Sequence, residues 1–209
     1  MMNTIYQITE LCELGYTYGT DKCPQLKHSY TPFYYELWKD KRNEIKKILE
    51  FGIGYYPGMK HSTITYDRGL KRYYHRGASL YMWRDFFPYA QIYGADIQPE
   101  TMFEDDRIKT YVCDEKKKED IEHLKSKVGS DIDFVVDDAL HRWQDQVFLA
   151  QTLMPLLNKQ VTYIIEDAGM PGHVMGELKD YHCTRPAIAN RRGMNQLVVV
   201  KHKVKIQKY

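Results

Sequence analysis

The chain has 209 residues, 43% hydrophobic and 28% charged, with a formal net charge of +2. That length suits one α/β domain with a full core and is short for two, and the composition excludes a disordered polymer. The near-neutral charge offers no basic field for nucleic acid, and no apolar run approaches the roughly 18 residues of a bilayer span, so neither nucleic acid nor membrane is expected as a partner.

The N-terminus MMNTIYQITELCELGY lacks a basic region followed by an apolar stretch, which points to a cytoplasmic protein. Its four cysteines, Cys12, Cys23, Cys113 and Cys183, have no paired zinc or redox spacing and read as reduced thiols. The lysines of KDKRNEIKK and EKKKED stand beside acids and read as solvated faces. Tyrosine, with 18 copies, is the compositional outlier.

Residues 1–43 form an N-terminal extension, in which SYTPFYYELWKD includes a helix that packs on the core or covers the site. The first buried strand is IKKILEFGIG, where Ile45, Ile48, Leu49 and Phe51 run into Gly52 and Gly54. Residues 55–76 carry Pro57, Gly58 and Gly69 without a clean period and read as an inserted loop. GASLYMWRDFFP is a helix stopped by Pro88, with Leu80, Trp83 and Phe87 at helical spacing.

QIYGADI and IKTYVCD are the second and third strands, ending at Asp96 and Asp114. KEDIEHLKSKVG is a helix closed by Gly129, and DIDFVVDD a fourth strand. A helix beginning near His141 turns Trp143, Val147, Ala150, Leu153, Met154 and Leu157 to one face. VTYIIEDAG is a fifth strand, AGMPGHVMGELKDYHCTRPAIANRRG is irregular, and NQLVVVKHK is the last strand. Strands alternating with helices predict one Rossmann-like α/β domain over residues 1–209, a mostly parallel, doubly wound sheet with helices on both faces.

In such a sheet ligands bind beyond the carboxyl ends of the strands. Glu50-Phe51-Gly52-Ile53-Gly54 closes the first strand, with glycines that let a ligand approach the backbone. Asp96 closes the second with a carboxylate able to accept two hydrogen bonds from a ribose diol. Gly52, Gly54 and Gly58 give a spacing one residue longer than the dinucleotide fingerprint, and the acid lies further on than that fingerprint places it. With the insertion set aside, FGIG joins GASLYMWRDFFP and Asp96 falls near the expected distance.

The spliced segments ILEFGIG and GASLYMWRDFFPYAQIYGADI resemble the first two motifs of class I S-adenosylmethionine-dependent methyltransferases, especially those modifying sugars on antibiotics and other glycans. The resemblance implies that Glu50, Gly52 and Gly54 shape the cofactor pocket, that Ser79 lies near the methionine end, that Asp96 holds the ribose and that Asp114 sits beside the adenine. The upstream YGTDKCPQLKHSYTPFY resembles a stretch preceding the domain in the same proteins, making Thr20, Asp21, Lys22, His28 and Tyr30 candidates to close over cofactor or acceptor.

The second site is VVDDALHRW with YIIEDAG. Asp138 and His141 follow the fourth strand, and Glu166 and Asp167 the fifth, so three carboxylates and an imidazole converge on one crevice. Converging acids repel, and a hard divalent cation resolves the conflict. Resemblance to metal-dependent sugar and catechol methyltransferases makes Asp138, Glu166 and Asp167 the ligands, with Mg²⁺ the expected metal, and His141 the general base; Asp137 then faces the methionine portion. A bound metal lowers the pKa of an acceptor hydroxyl, and an imidazole titrates in the right range to take its proton.

The expected acceptor is a small molecule or glycan bearing a deoxyhexose such as rhamnose, as the resemblance implies. Tyr56, Tyr66, Tyr73, Tyr74 and His75 of the insertion are candidates to wall the acceptor, as are His173, Arg185, Arg191 and Arg192 beyond the fifth strand. A nicotinamide-dependent oxidoreductase would use the same glycine turn but leave the acidic cluster unexplained, and a non-catalytic cofactor-binding module would keep the fold alone. A homo-oligomer is compatible with the sequence.

Overall fold

A computed structural model describes residues 7–54, 76–188 and 196–203. In chain order these form α1 (Glu10–Tyr18), α2 (Tyr30–Trp38), β1 (Lys47–Phe51), α3 (Ala78–Phe86), β2 (Gln91–Asp96), β3 (Glu104–Asp105), β4 (Ile108–Val112), α4 (Lys118–Val128), β5 (Phe134–Asp137), α5 (Trp143–Leu153), β6 (Thr162–Ile165), α6 (Pro171–Glu177), β7 (Tyr181–Thr184) and β8 (Val198–His202).

The local reasons are legible. Thr9 caps α1 by accepting the Cys12 amide at 3.3 Å, and Gly19 ends it in the left-handed conformation. Helix α4 carries Glu119 and Asp120 in its first turn and Lys125 and Lys127 in its last, the arrangement that complements the helix dipole. Pro171 opens α6 at a position that needs no amide donor.

The strands make one sheet in the order β3-β4-β2-β1-β5-β6-β8-β7. Strands β4, β2, β1, β5 and β6 are mutually parallel, while β3, β8 and β7 join antiparallel. From β1 the chain winds outward through β2 and β4, then returns to the other side of β1 for β5 and β6. The crevice between β1 and β5 is therefore the switch point at which such sheets bind ligands.

Alternation along the strands feeds two cores. Leu49, Phe51, Val135, Tyr163 and Ile165 face α4, α5 and α6, packing with Ile121, Leu124, Val128, Leu149, Leu153 and Val174. Ile48, Phe134, Val136 and Ile164 face the other way, toward α1, α2 and α3, with Leu11, Tyr34, Trp38, Leu80, Trp83 and Phe86. The second core is aromatic: Trp83 meets Tyr34 and Phe134 edge-on at 5.0 and 5.6 Å between ring centroids.

The sequence reading placed the helix in SYTPFYYELWKD, the helix after the insertion, the helix closed by Gly129 and the six main strands. It differs from the structure in four places. Helix α1 is a second helix in the extension, β3 is a two-residue edge strand, and the segment after β6, read as irregular, contains α6 and β7. Helix α5 starts at Trp143 rather than near His141, and its apolar face continues through a 3₁₀ turn, Met154–Leu156. Residues 55–75 of the insertion lie outside the described residues, and so do its five candidate acceptor-wall side chains.

Candidate active site

The tips of β1, β5 and β6 lie side by side, with Phe51 opposite Asp137 and Asp137 opposite Ile165. Side chains alternate between sheet faces, and this parity sorts the acids. Glu50 and Glu166 share the face of Ile48, Val136 and Ile164, beneath the N-terminal helices. Asp137 lies on the face of Val135 and Tyr163, where it accepts the Tyr163 hydroxyl at 3.0 Å.

Gly52 has φ +87°, and a Cβ there would stand 2.2 Å from the Asp138 carbonyl oxygen. The turn is thus open only to glycine, and it lets β1 and the residue after β5 approach closely. Gly54 also has a positive φ, +88°. The Asp96 carboxylate accepts the Ile53 amide with one oxygen and the Gln98 amide with the other, both at 3.0 Å, so it braces this turn. Each of those oxygens keeps a second lone pair for a diol. Asp114 accepts the Lys116 amide at 3.1 Å as a local cap. Next to it, Glu115 is 5% exposed with a buried Oε1 that has no hydrogen-bond partner among the described residues.

Lys22 is the residue whose place the sequence reading did not foresee. It lies in the loop between α1 and α2, buried to 1% exposure. Its ammonium is 2.5 Å from Asp138 Oδ2, 2.6 Å from Glu166 Oε2 and 3.2 Å from Glu50 Oε1. A buried charge demands such partners. Burial alone would lower the lysine pKa, but Asp138, Glu166 and Glu50 outweigh it and hold the ammonium well above its ordinary value.

The carboxylates respond unequally. Burial pushes Glu166 well up and Glu50 up, against the pull of Lys22. Asp138 is held below the carboxylate range, because Lys22 and His141 overcome its burial. Asp137, buried on the other face without a cation, is raised by burial to about 8.

The other oxygens of the inner acids are also engaged. Tyr34 donates to Glu166 Oε1 at 2.5 Å, and the Trp83 indole donates to Glu50 Oε2 at 2.7 Å. Ser79 is buried at the start of α3, and its hydroxyl works with Lys22 and Trp83 to oppose the upward shift of the Glu50 carboxyl. Gln146 fixes the Glu166 carbonyl at 3.0 Å. Thr20 is buried beside Lys22 and accepts its amide at 3.5 Å.

Asp167 has φ +45°, uncommon for a residue other than glycine. This left-handed step breaks the alternation along β6, and the Asp167 carboxylate comes within 3.9 Å of the His141 ring. Tyr30 donates a hydrogen bond to its Oδ1, and His28 stands 3.5 Å from its Oδ2. His141 lies with Nε2 3.3 Å from Asp138 Oδ1, and that contact raises its pKa.

Asp138, His141 and Asp167 each offer a ligand atom within 4.8 Å of the others. Glu166, expected as the third carboxylate ligand, lies beside them with Oε2 on Lys22 and Oε1 on Tyr34. The strand tips share a pocket, and Lys22 reaches both Asp138 and Glu166 within it. Asp21, His28 and Tyr30 of the upstream segment lie around this centre. His173 packs its ring 5.6 Å from Trp143, while Arg191 and Arg192 are outside the described residues.

The parallel sheet, its switch point and the glycine turn at the tip of β1 make this the class I methyltransferase fold. A solved MycE methyltransferase, in complex with Mg, SAH and mycinamycin VI, matches with a TM-score of 0.73 at 24% identity, over 96% of this chain and 57% of that one. Human methyltransferase-like protein 13 in complex with SAH matches with a TM-score of 0.53 at 18% identity, over 81% and 78% of the two chains. No protein-family model matches the chain.

By sequence, the chain is 34% identical over 158 residues to mycinamicin VI 2''-O-methyltransferase of Micromonospora griseorubida. It is also 34% identical over 158 residues to demethylmacrocin O-methyltransferase of Streptomyces fradiae; each match covers 76% of this chain and 36% of the relative. The chain is thus similar over about three quarters of its length to O-methyltransferases. It spans little more than a third of the length of the curated relatives it matches.

Proposed function

We propose that the chain is an S-adenosylmethionine-dependent, divalent-metal-assisted O-methyltransferase acting on a sugar hydroxyl, with a deoxyhexose such as rhamnose as the acceptor class. The observation that carries this reading is the juxtaposition at one switch point of a glycine turn that accepts a nucleoside and an acid cluster that one lysine does not neutralise. Kinship supports the acceptor class: relatives are named for methylation of mycinamicin VI and of a rhamnosyl tetracenomycin at the 2' position.

The residues fit both groups. For the cofactor, Gly52 and Gly54 open the backbone, Asp96 has spare lone pairs for the ribose, and Asp114 would sit beside the adenine. The unpartnered Glu115 Oε1 supplies a further buried acceptor. Thr20 and Glu50 would line the cofactor pocket, Ser79 would lie near the methionine end, and Asp137 would face the methionine portion from the end of β5. For the metal, an oxygen-rich set with one imidazole suits a hard or borderline divalent ion such as Mg²⁺. Asp138, Glu166 and Asp167 would hold it, and when bound it lowers the pKa of an acceptor hydroxyl.

His141 is 44% exposed in its side chain and faces the opening, so it can reach an acceptor. A hydroxyl that gains a methyl group must lose its proton, and the imidazole takes it. Asp138, held ionised, then stabilises the imidazolium that forms. His141 is also near enough to ligate the metal, and the two roles separate by experiment: loss of a base leaves Mn²⁺ affinity unchanged in His141→Ala, whereas loss of a ligand weakens it.

Calorimetric titration tests the cofactor assignment. The reading expects saturable binding of S-adenosylmethionine and no change in NADPH fluorescence. Binding of the nicotinamide cofactor in its place would return the protein to the oxidoreductases. Cofactor binding without methyl transfer to any member of a sugar panel would leave a non-catalytic module.

A further inference from the structure

Two groups of acids meet at the strand tips, and they differ in what balances their charge. Glu50, Asp138 and Glu166 gather on the Lys22 ammonium. Asp96, Glu115 and Asp137, at or just past the ends of β2, β4 and β5, make no ion pair among the described residues. Their neighbour Asp114 is engaged locally, with one oxygen on the Lys116 amide at 3.1 Å and the other 3.5 Å from the Lys117 ammonium.

Glu115 is the member of the second group without a settled partner. Asp96 is held by the Ile53 and Gln98 amides, and Asp137 by the Tyr163 hydroxyl. Glu115 is 5% exposed, and its Oε1 is buried with no hydrogen-bond partner among the described residues. A carboxylate so placed costs free energy unless it is protonated or meets a cation. The groups that face it are mostly acids: Asp114 in its own loop, Asp96 from β2 and Asp137 from β5. Lys116 beside it is cationic but exposed, and Cys113 and the Tyr163 hydroxyl are its other titratable neighbours. Burial, with the charges of Asp114 and Asp96, outweighs Lys116 and raises the Glu115 pKa.

These strand ends form the crevice assigned above to the cofactor, and the inference rests on that reading. The methyl donor carries a sulfonium charge that its spent product, a neutral thioether, lacks. We propose that Glu115 makes the crevice read this charge: it holds a proton while the crevice is empty or contains the spent product, and releases that proton to solvent when the sulfonium enters. Glu115 is thus a specificity-determining residue that favours the donor over its product. A cation stabilises a carboxylate across several ångströms of low-dielectric interior, so no contact with the sulfur is required. Once the methyl group has been transferred, Glu115 takes up a proton from solvent again, and the crevice holds the product less tightly than the donor.

The test is calorimetric binding of S-adenosylmethionine and of S-adenosylhomocysteine to the whole chain in EDTA at about pH 6. Each titration is run in two buffers of different ionisation enthalpy, which counts the protons released without any turnover. S-adenosylmethionine should release more protons than S-adenosylhomocysteine. Glu115→Gln keeps the shape and removes the titration, so it should abolish the excess and cut the preference for the donor by about threefold or more. Equal proton counts in the wild type, or an excess that survives in Glu115→Gln, overturn the proposal while the cofactor reading stands. A wild-type chain that binds neither compound overturns both. If Glu115→Gln does not fold, the wild-type proton counts decide.

Discussion

Gly52 shows how one backbone conformation sets the site. Its positive φ and the 2.2 Å approach of a Cβ to the Asp138 carbonyl leave no room for any side chain. Gly52→Ala should cost about 2 kcal/mol or more, from left-handed strain and the forced separation of β1 from the residue after β5. Urea denaturation checks this; an unchanged midpoint would contradict it. At His141 the proposed role is chemical. His141→Ala should lower kcat by about 10²–10⁴ and leave the calorimetric affinity for S-adenosylmethionine nearly unchanged. Equal loss of both would show that the imidazole holds the cofactor rather than moving a proton.

Strand β5 carries the pH response. Asp137 at its end is raised to about 8 in the fold, against about 3.9 in an unfolded chain. Between those values the folded protein keeps a proton that the unfolded chain has released. This contribution is therefore complete below about pH 4 and is lost as pH rises through about 8. Glu50 and Glu166 shift in the same direction. The thermal midpoint of the chelated protein should accordingly fall from pH 5 to pH 9, and Asp137→Asn should flatten the slope. A midpoint that rises with pH would contradict the assignment. The N-terminal helices provide a second check, because Trp83 joins them to the sheet and holds Glu50. Trp83→Ala should cost about 3–5 kcal/mol.

The same elements show how much the sequence conveyed. Short apolar runs ending in glycine or acid marked the five parallel strands, and the joint pattern of Asp138, His141, Glu166 and Asp167 marked the site. Parity was also available, since Glu50 falls two residues from Ile48 and Glu166 two from Ile164, which puts both on the face of the N-terminal extension. What the sequence did not carry was three-dimensional closure. Nothing in YGTDKCPQ places Lys22 beneath three strand tips more than a hundred residues away in two cases. The left-handed turn at Asp167 is accompanied by contacts with Tyr30 and His28, more than a hundred residues away in sequence. Helix α6 and strand β7 were hidden by the glycines and prolines of their segment, signals that read as loop until the sheet edge is present.

At the scale of the whole molecule, the sheet brings a nucleoside turn and a metal-competent acid group to one crevice, and the extension closes the inner side of that crevice with a lysine. Among the described residues no helix is long and apolar enough to cross a membrane. The chemistry of the crevice is a property of the assembled fold, since its groups come from the α1–α2 loop and from the ends of β1, β2, β5 and β6. The most direct measurement is transfer of a labelled methyl group from S-adenosylmethionine to a panel of deoxyhexosides, with and without EDTA. Transfer that stops on chelation and returns with added Mg²⁺ is the predicted result; transfer at full rate in EDTA would contradict metal-assisted O-methylation.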